Sequence, residues 1–277
     1  MGFASHASLT QNIFNQNFRK MKTNRFVYFL MSMLFAGAIT LNSCGPRQTA
    51  EEVEELPINT LSEQEKEEGF FLLFDGESFD GWRGYNRDAF PEGGWVIEDG
   101  VMMVQGAGTG EAGGEGGDII YDQKFLDFHL KLEWKVSPGG NSGIFYLGQE
   151  ISGEPVWKSA PEMQILCNEQ HIDAQLGVDG NRKAGSLYDL IPAKPQNARP
   201  TGEWNLAEVI VYRGTVVHRQ NGEVVLEYHL GTSDWERMVA ESKFSDFEWF
   251  GKYKAGYIAL QDHGDDVWFR NIRLKEF

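Results

Sequence analysis

The chain reads as an all-β protein built from two packed antiparallel sheets, and three observations carry that reading. Short runs of Val, Ile, Phe, Tyr and Trp are broken at close spacing by Gly, Asp and Asn, the texture of many short strands. Asp99-Gly100 and Asn221-Gly222 are tight-turn dipeptides, each standing between two strand-like runs. The periodicity of a long helix is absent, and with it the strand–helix alternation of a dinucleotide-binding fold.

Taken in order, strands are expected over residues 70–73, 95–97, 101–104, 128–136, 143–147, 162–166, 207–212, 215–219, 223–228, 257–261 and 267–274. The runs 95–97 and 101–104 flank Asp99-Gly100, and 215–219 and 223–228 flank Asn221-Gly222. The remainder are runs of β-branched and aromatic residues bounded by turn formers. Only residues 234–242 suggest a short helix. So many strands suit two sheets of about six or seven each, one of them curving to leave a concave face. The Gly-rich stretch 106–117 lacks the Lys-Ser/Thr ending and following helix of a phosphate loop, and its Glu111 and Glu115 would repel phosphate. It reads as a surface loop.

Residues 69–277 form this single domain. Residues 1–20 precede a natural start at Met21 and read as an upstream extension. Over 21–43, a basic Met21-Lys-Thr-Asn-Arg25 leads into an apolar run, Phe26 to Leu41, that closes on Leu41-Asn-Ser-Cys44. This resembles a bacterial lipoprotein signal. It implies that Cys44 is lipidated and that the protein sits in the periplasm or at the outer membrane, touching membrane through the lipid alone. Residues 44–68, rich in Glu, Gln, Thr and Pro, read as an acidic tether. A net charge of −16 excludes a phosphate-backbone surface, and nucleic acid as a partner. With Cys44 lipidated, Cys167 stands alone. No internal disulfide forms, and Cys167 reads as a small core residue.

Two strands carry polar groups where a solvated face would carry Thr, Lys, Glu or Ser. In 256–263, Ile258 and Leu260 point one way while Tyr257, Ala259, Gln261 and His263 point the other. In Pro161-Glu-Met-Gln-Ile-Leu-Cys-Asn168, Met163, Ile165 and Cys167 share one side, and Glu162 and Gln164 the other. An amide, an imidazole, a phenol and a carboxyl suit a polyhydroxylated ligand. Asn141, Tyr188, His218 and Lys243 join them as candidate substrate-binding residues from turns, loops and strand ends. No Gly-x-Ser-x-Gly elbow, zinc helix or zinc-spaced Cys/His cluster is present.

Asn141-Ser-Gly-Ile-Phe145, Glu162-Met-Gln-Ile-Leu166, Gly185-Ser-Leu-Tyr-Asp189, Gly202-Glu-Trp-Asn205, Asn221-Gly222 and the segment Gly256 to Ile272 occur in that order. Together with Phe74-Asp-Gly-Glu-Ser-Phe-Asp-Gly-Trp82 they resemble the 3-keto-disaccharide hydrolase domain family. The resemblance implies a concanavalin- or laminarinase-like jelly-roll sandwich. It also implies action on glycosides whose sugar is oxidised to a ketone at carbon 3. Such a ketone acidifies the proton on carbon 2, and its removal lets the glycosidic oxygen leave by elimination before water adds back. That chemistry asks for a base, a donor to the ketone oxygen and an acid at the leaving oxygen.

Glu162 and His263 are the candidates for base and acid, with Glu162 preferred as base. Gln164, Gln261, His218 and Lys243 are candidates for holding hydroxyls or the enolate. A divalent metal is an alternative source of polarisation, without a decisive ligand set in the sequence. Two other readings are a non-catalytic glycan-binding module and a glucanase with paired carboxylates. Relatives often carry Asp where this chain has Cys167 and Arg where it has Leu147. A substrate preference of its own is one consequence to test.

Overall fold

The computed structural model describes residues 56–107 and 116–277; the Cys44 signal and most of the Gly-rich loop lie outside them. The larger sheet runs β11 (Glu223–His229), β10 (Thr215–Gln220), β9 (Asn205–Tyr212), β6 (Phe128–Val136), β13 (Val267–Glu276), β4 (Val101–Val104) and β3 (Trp95–Glu98). β1 (Phe71–Leu72) pairs with β13 off this path. The smaller sheet runs β2 (Trp82–Gly84), β5 (Ile119–Tyr121), β12 (Tyr257–Leu260), β7 (Asn141–Gly148) and β8 (Glu162–Leu166). Every pair is antiparallel.

The expected two-sheet architecture is observed, with eight and five strands in place of six or seven each. Two of the five, β2 and β5, are three residues long, too short to show a period in sequence. Two helices are described, α1 (Glu63–Glu67) and α2 (Ser233–Ala240), the second close to the expected 234–242.

Alternation decides which faces meet. Phe128, Leu130, Leu132, Trp134 and Val136 of β6 are all buried, and they pack with Ile144 and Tyr146 of β7, Met163 and Ile165 of β8, and Ile258 and Leu260 of β12. With those side chains turned inward, Glu162 and Gln164 of β8 fall on the opposite face of the small sheet. So do Ala259 of β12 and Gln261 just beyond it. That face is not an open groove. Val156 and Ala160 pack over Phe145, Ala259 and Ile120 as a second, smaller cluster. Tyr257 is half-covered there, packed against that cluster.

The acidic segment before the domain behaves differently from a tether over its last part. Ser62 and Glu65 form a capping box that starts α1. Glu65 accepts from Arg273 at 2.7 Å and Glu68 from Lys275 at 2.8 Å, so the acids meet the basic outer face of β13. Asn59 is 92% buried by its surroundings, its Nδ2 donating to Gly100 O at 2.7 Å and its Oδ1 accepting Asn271 N–H at 2.8 Å. Asn59→Ala is expected to cost about 2 kcal/mol and lower Tm by about 5 °C in a thermal melt. An unchanged Tm would show that the Asn59 contacts add nothing to the fold.

Candidate functional site

A cavity of about 420 Å³ opens on the covered face of the small sheet. Its floor comes from three adjacent strands. Gly143 of β7 pairs with Gln164 of β8, and the Gln261 N–H donates to Gly143 O at 3.1 Å, which sets Gln164, Gly143 and Gln261 in one row. Glu162 sits one row along, opposite Phe145. Its carboxyl leans back over Gly143: a Cβ built there would overlap Glu162 Oε1 and lie 2.8 Å from Cδ. The missing side chain at Gly143 is what lets the carboxyl lie between the two amides.

The opposite wall is aromatic and comes from loops. Trp157 stands on the 3-10 turn Val156–Lys158, and Phe244, Phe247 and Phe250 follow α2. Phe244 and Phe250 stack at 4.1 Å between centroids, and Trp157 meets Phe247 at 5.4 Å. A backbone bond from Gly251 N–H to Ser159 O, 2.9 Å, ties the two loops together. One polar floor facing one apolar wall matches the two-sided surface of a sugar, whose C–H faces suit aromatic rings.

The electrostatics single out Glu162. It is 8% exposed, and burial pushes its carboxyl up to about 8, against the opposing pull of the Lys243 ammonium. Burial also lowers Lys243 from the ordinary lysine range, and its Nζ lies 4.0 Å from the centroid of the Tyr188 ring. Tyr188 lends the cavity its ring, since its hydroxyl donates to Asp173 Oδ2 at 2.8 Å. Three buried polar atoms of cavity residues have no protein partner: Asn141 Oδ1, Gln164 Oε1 and His263 Nδ1. Buried polar atoms are normally paired, so this cluster of orphans marks where a polar ligand would bind.

Seven of the eight sequence candidates therefore line one cavity: Asn141, Glu162, Gln164, Tyr188, Lys243, Gln261 and His263. His218 does not, and its expected contact with substrate is corrected. On β10, Val216, His218 and Gln220 are the inward residues, so His218 is fully buried between the sheets. Its Nδ1 pairs with Gly185 O at 3.1 Å and its Nε2 with Tyr146 Oη at 2.8 Å, while Tyr146 reaches Tyr228 Oη at 2.6 Å. Burial pulls His218 down to about 4, which keeps it neutral and a structural crosslink.

Asp262 is also inward. Its carboxylate accepts Gly117 N–H at 2.9 Å and Gly264 N–H at 3.0 Å, shaping the turn that presents His263. Cys167 is in the core, with Sγ 3.0 Å from Thr201 Oγ1, and Leu147 is buried; neither lines the cavity.

The aromatic wall escaped the sequence reading. Its one signal is the density of rings in Phe244 to Phe250, which follow the predicted helix without strand periodicity. Also missed were His171 and Asp265, whose ligand-type atoms lie with one from His263 within 4.8 Å of one another.

Comparisons with known proteins show the family and the fold of the chain. A family model described as a 3-keto-alpha-glucoside-1,2-lyase-like domain matches residues 69–275. A protein of Bacteroides thetaiotaomicron named 3-keto-disaccharide hydrolase is 53% identical over 228 residues, covering 75% of this chain and 78% of its own length. A crystal structure from Parabacteroides distasonis, provisionally named a glycosyl hydrolase, superposes with a TM-score of 0.71 at 30% identity, covering 80% of this chain and all of that one. Another from the same species has a TM-score of 0.51 at 27% identity, covering 76% of this chain and 84% of the other.

Proposed function

The chain belongs to the family of 3-keto-alpha-glucoside-1,2-lyase-like domains, and we propose that its cavity cleaves the glycosidic bond of 3-keto-glycosides or 3-keto-disaccharides. The observation that carries this reading is the carboxyl count. Glu162 is the one acid among the described residues that line the cavity, and amides stand on both sides of it. Direct glycoside hydrolysis needs two carboxyl groups across the scissile bond, ~5 Å or more apart. Elimination needs one base beside carbon 2.

In this reading the Glu162 carboxylate takes the carbon 2 proton. The C–H electrons form the enolate, and then the C1–C2 double bond as the C1–O bond breaks. His263 gives a proton to the departing oxygen. Gln164 and Gln261 hold the ketone oxygen and a neighbouring hydroxyl, and Lys243 favours the ionised state of Glu162. Addition of water to the unsaturated ketone completes net hydrolysis. The aromatic wall keeps bulk water away and strengthens each of these interactions.

The test is a paired assay, in which the purified chain is incubated with a 3-keto-glucoside and with its unoxidised parent. Release from the keto-sugar alone supports elimination. Equal release from both would replace it with ordinary hydrolysis, and binding without release would reduce the cavity to a sugar-binding site.

Export belongs to the same proposal. The run Phe26 to Leu41 ending at Cys44 supports a lipid-anchored protein acting outside the cytoplasm. Labelling with radioactive palmitate is expected for the wild type and lost in Cys44→Ala; retained label in the variant would overturn the anchor.

A further inference from the structure

We propose that His171, His263 and Asp265 form a binding site for one divalent ion of the Mn²⁺, Co²⁺ or Zn²⁺ class at the edge of the cavity. The three residues come from two separate parts of the chain. His171 caps the 3-10 turn Ile172–Gln175 beyond β8, and the other two lie in the connection between β12 and β13. Their candidate ligand atoms all lie within 4.8 Å of one another. Neighbouring ligands on a bound ion stand about 3 Å apart, as bond lengths near 2.1 Å require, so small side-chain rotations close the set.

Each member is half-buried and positioned rather than free in solvent. Asp265 Oδ2 accepts the Asn141 N–H at 3.1 Å, which fixes the carboxylate beside a residue of the cavity. His171 and His263 lie edge to face, with centroids 6.1 Å apart. His263 Nδ1 is buried with no protein partner, although it is a ring nitrogen and such atoms are normally satisfied. His171 Nδ1 accepts the Asp173 N–H at 3.1 Å. Coordination through Nε2 therefore asks this ring to change tautomer and exchange one ordinary hydrogen bond for a metal–ligand bond.

Two imidazoles and one carboxylate are a donor set for borderline divalent ions, and three protein ligands leave coordination positions open. His263 and Asn141 both line the cavity, so an ion held by this set would stand beside it. A 3-keto-sugar offers a carbonyl oxygen and a hydroxyl on adjacent carbons, a pair that chelates such an ion. This choice of ligand rests on the function proposed above, whereas the metal site itself does not. With an ion bound, His263 serves as a ligand, and the proton that Glu162 takes from carbon 2 is the one passed to the departing oxygen.

The experiment is a titration of the chelator-treated full chain with Co²⁺ at neutral pH, followed by visible absorbance and calorimetry. One equivalent is expected to bind, with a Co²⁺–imidazole spectrum. Asp265→Asn, which keeps an acceptor for the Asn141 N–H, and His171→Ala are each expected to weaken binding by more than about 10-fold. His229→Ala, an exposed histidine on β11, is expected to leave it unchanged. Absence of saturable binding, or binding indifferent to Asp265→Asn and His171→Ala, overturns the site. Saturable binding to a chain that does not cleave the keto-sugar upholds the site and removes the substrate reading. Full cleavage by a chain shown to bind no metal does the reverse.

Discussion

Replacing Glu162 with Gln is expected to lower kcat/KM for a 3-keto-glucoside by about 10³-fold, within the range a positioned proton-transfer group contributes. It is also expected to stabilise the protein at alkaline pH. Both effects come from burial. The folded chain holds this carboxyl at about 8, against an ordinary value of 4.5. Between those two values the folded state keeps a proton that the unfolded chain has lost. The stability tied to the neutral carboxyl is thus complete below about 4.5 and is lost as pH rises through about 8.

Gln is neutral throughout and suffers no such loss. The variant's advantage in Tm should be small at pH ~5 and reach at least about 3 °C at pH ~9. The wild-type rate makes a matching demand. A base works only when ionised, so kcat/KM should climb about tenfold per pH unit below about 8 and then level. A rate that falls over that interval would make Glu162 the acid. A Tm difference that stays flat with pH would remove the premise of a buried, proton-holding carboxyl.

The parts of this arrangement that were legible in sequence are those written in a period of two. Met163 and Ile165 between Glu162 and Gln164, and Ile258 and Leu260 before Gln261, divide each strand into a core face and a polar face. The same rule gave β6 and β8 their observed ends, because turn formers bound them on both sides. His218 was singled out by its place before the Asn221-Gly222 turn, and the rule had no means of placing it. Alternation says that Val216, His218 and Gln220 share a face, but not that the shared face is the buried one.

Loop-borne groups were out of reach altogether. Trp157 and Phe247 meet across a turn and a post-helix loop with no common period, and His171 reaches Asp265 only because two unconnected loops end side by side. Cys167 and Leu147, where the resemblance leads one to expect Asp and Arg, lie outside the cavity lining. A shift in substrate preference would therefore need an indirect route from either.

Gly143 concentrates the argument in a single methyl group. Within the motif Asn141-Ser-Gly-Ile-Phe145 it is the first residue of the expected strand 143–147, and it lies inside β7, where glycine normally weakens a strand. The structure supplies the reason, since Glu162 Oε1, Cδ and Cγ all crowd the place of a Cβ. Gly143→Ala should therefore leave the strand intact while pushing the carboxyl off the row of Gln164 and Gln261. A displacement of about 1 Å in a reacting group costs on the order of 10² in rate. The expected variant folds with a Tm within about 3 °C of wild type, because a strand alanine offsets part of the local crowding. Its kcat falls by about 10²-fold and its KM changes far less, because the amides and the aromatic wall still hold the sugar. Adding Glu162→Gln on top of Gly143→Ala should then cost much less than Glu162→Gln does alone, since both act through one carboxyl. Simple multiplication of the two losses would mean that Gly143 serves something other than the position of Glu162.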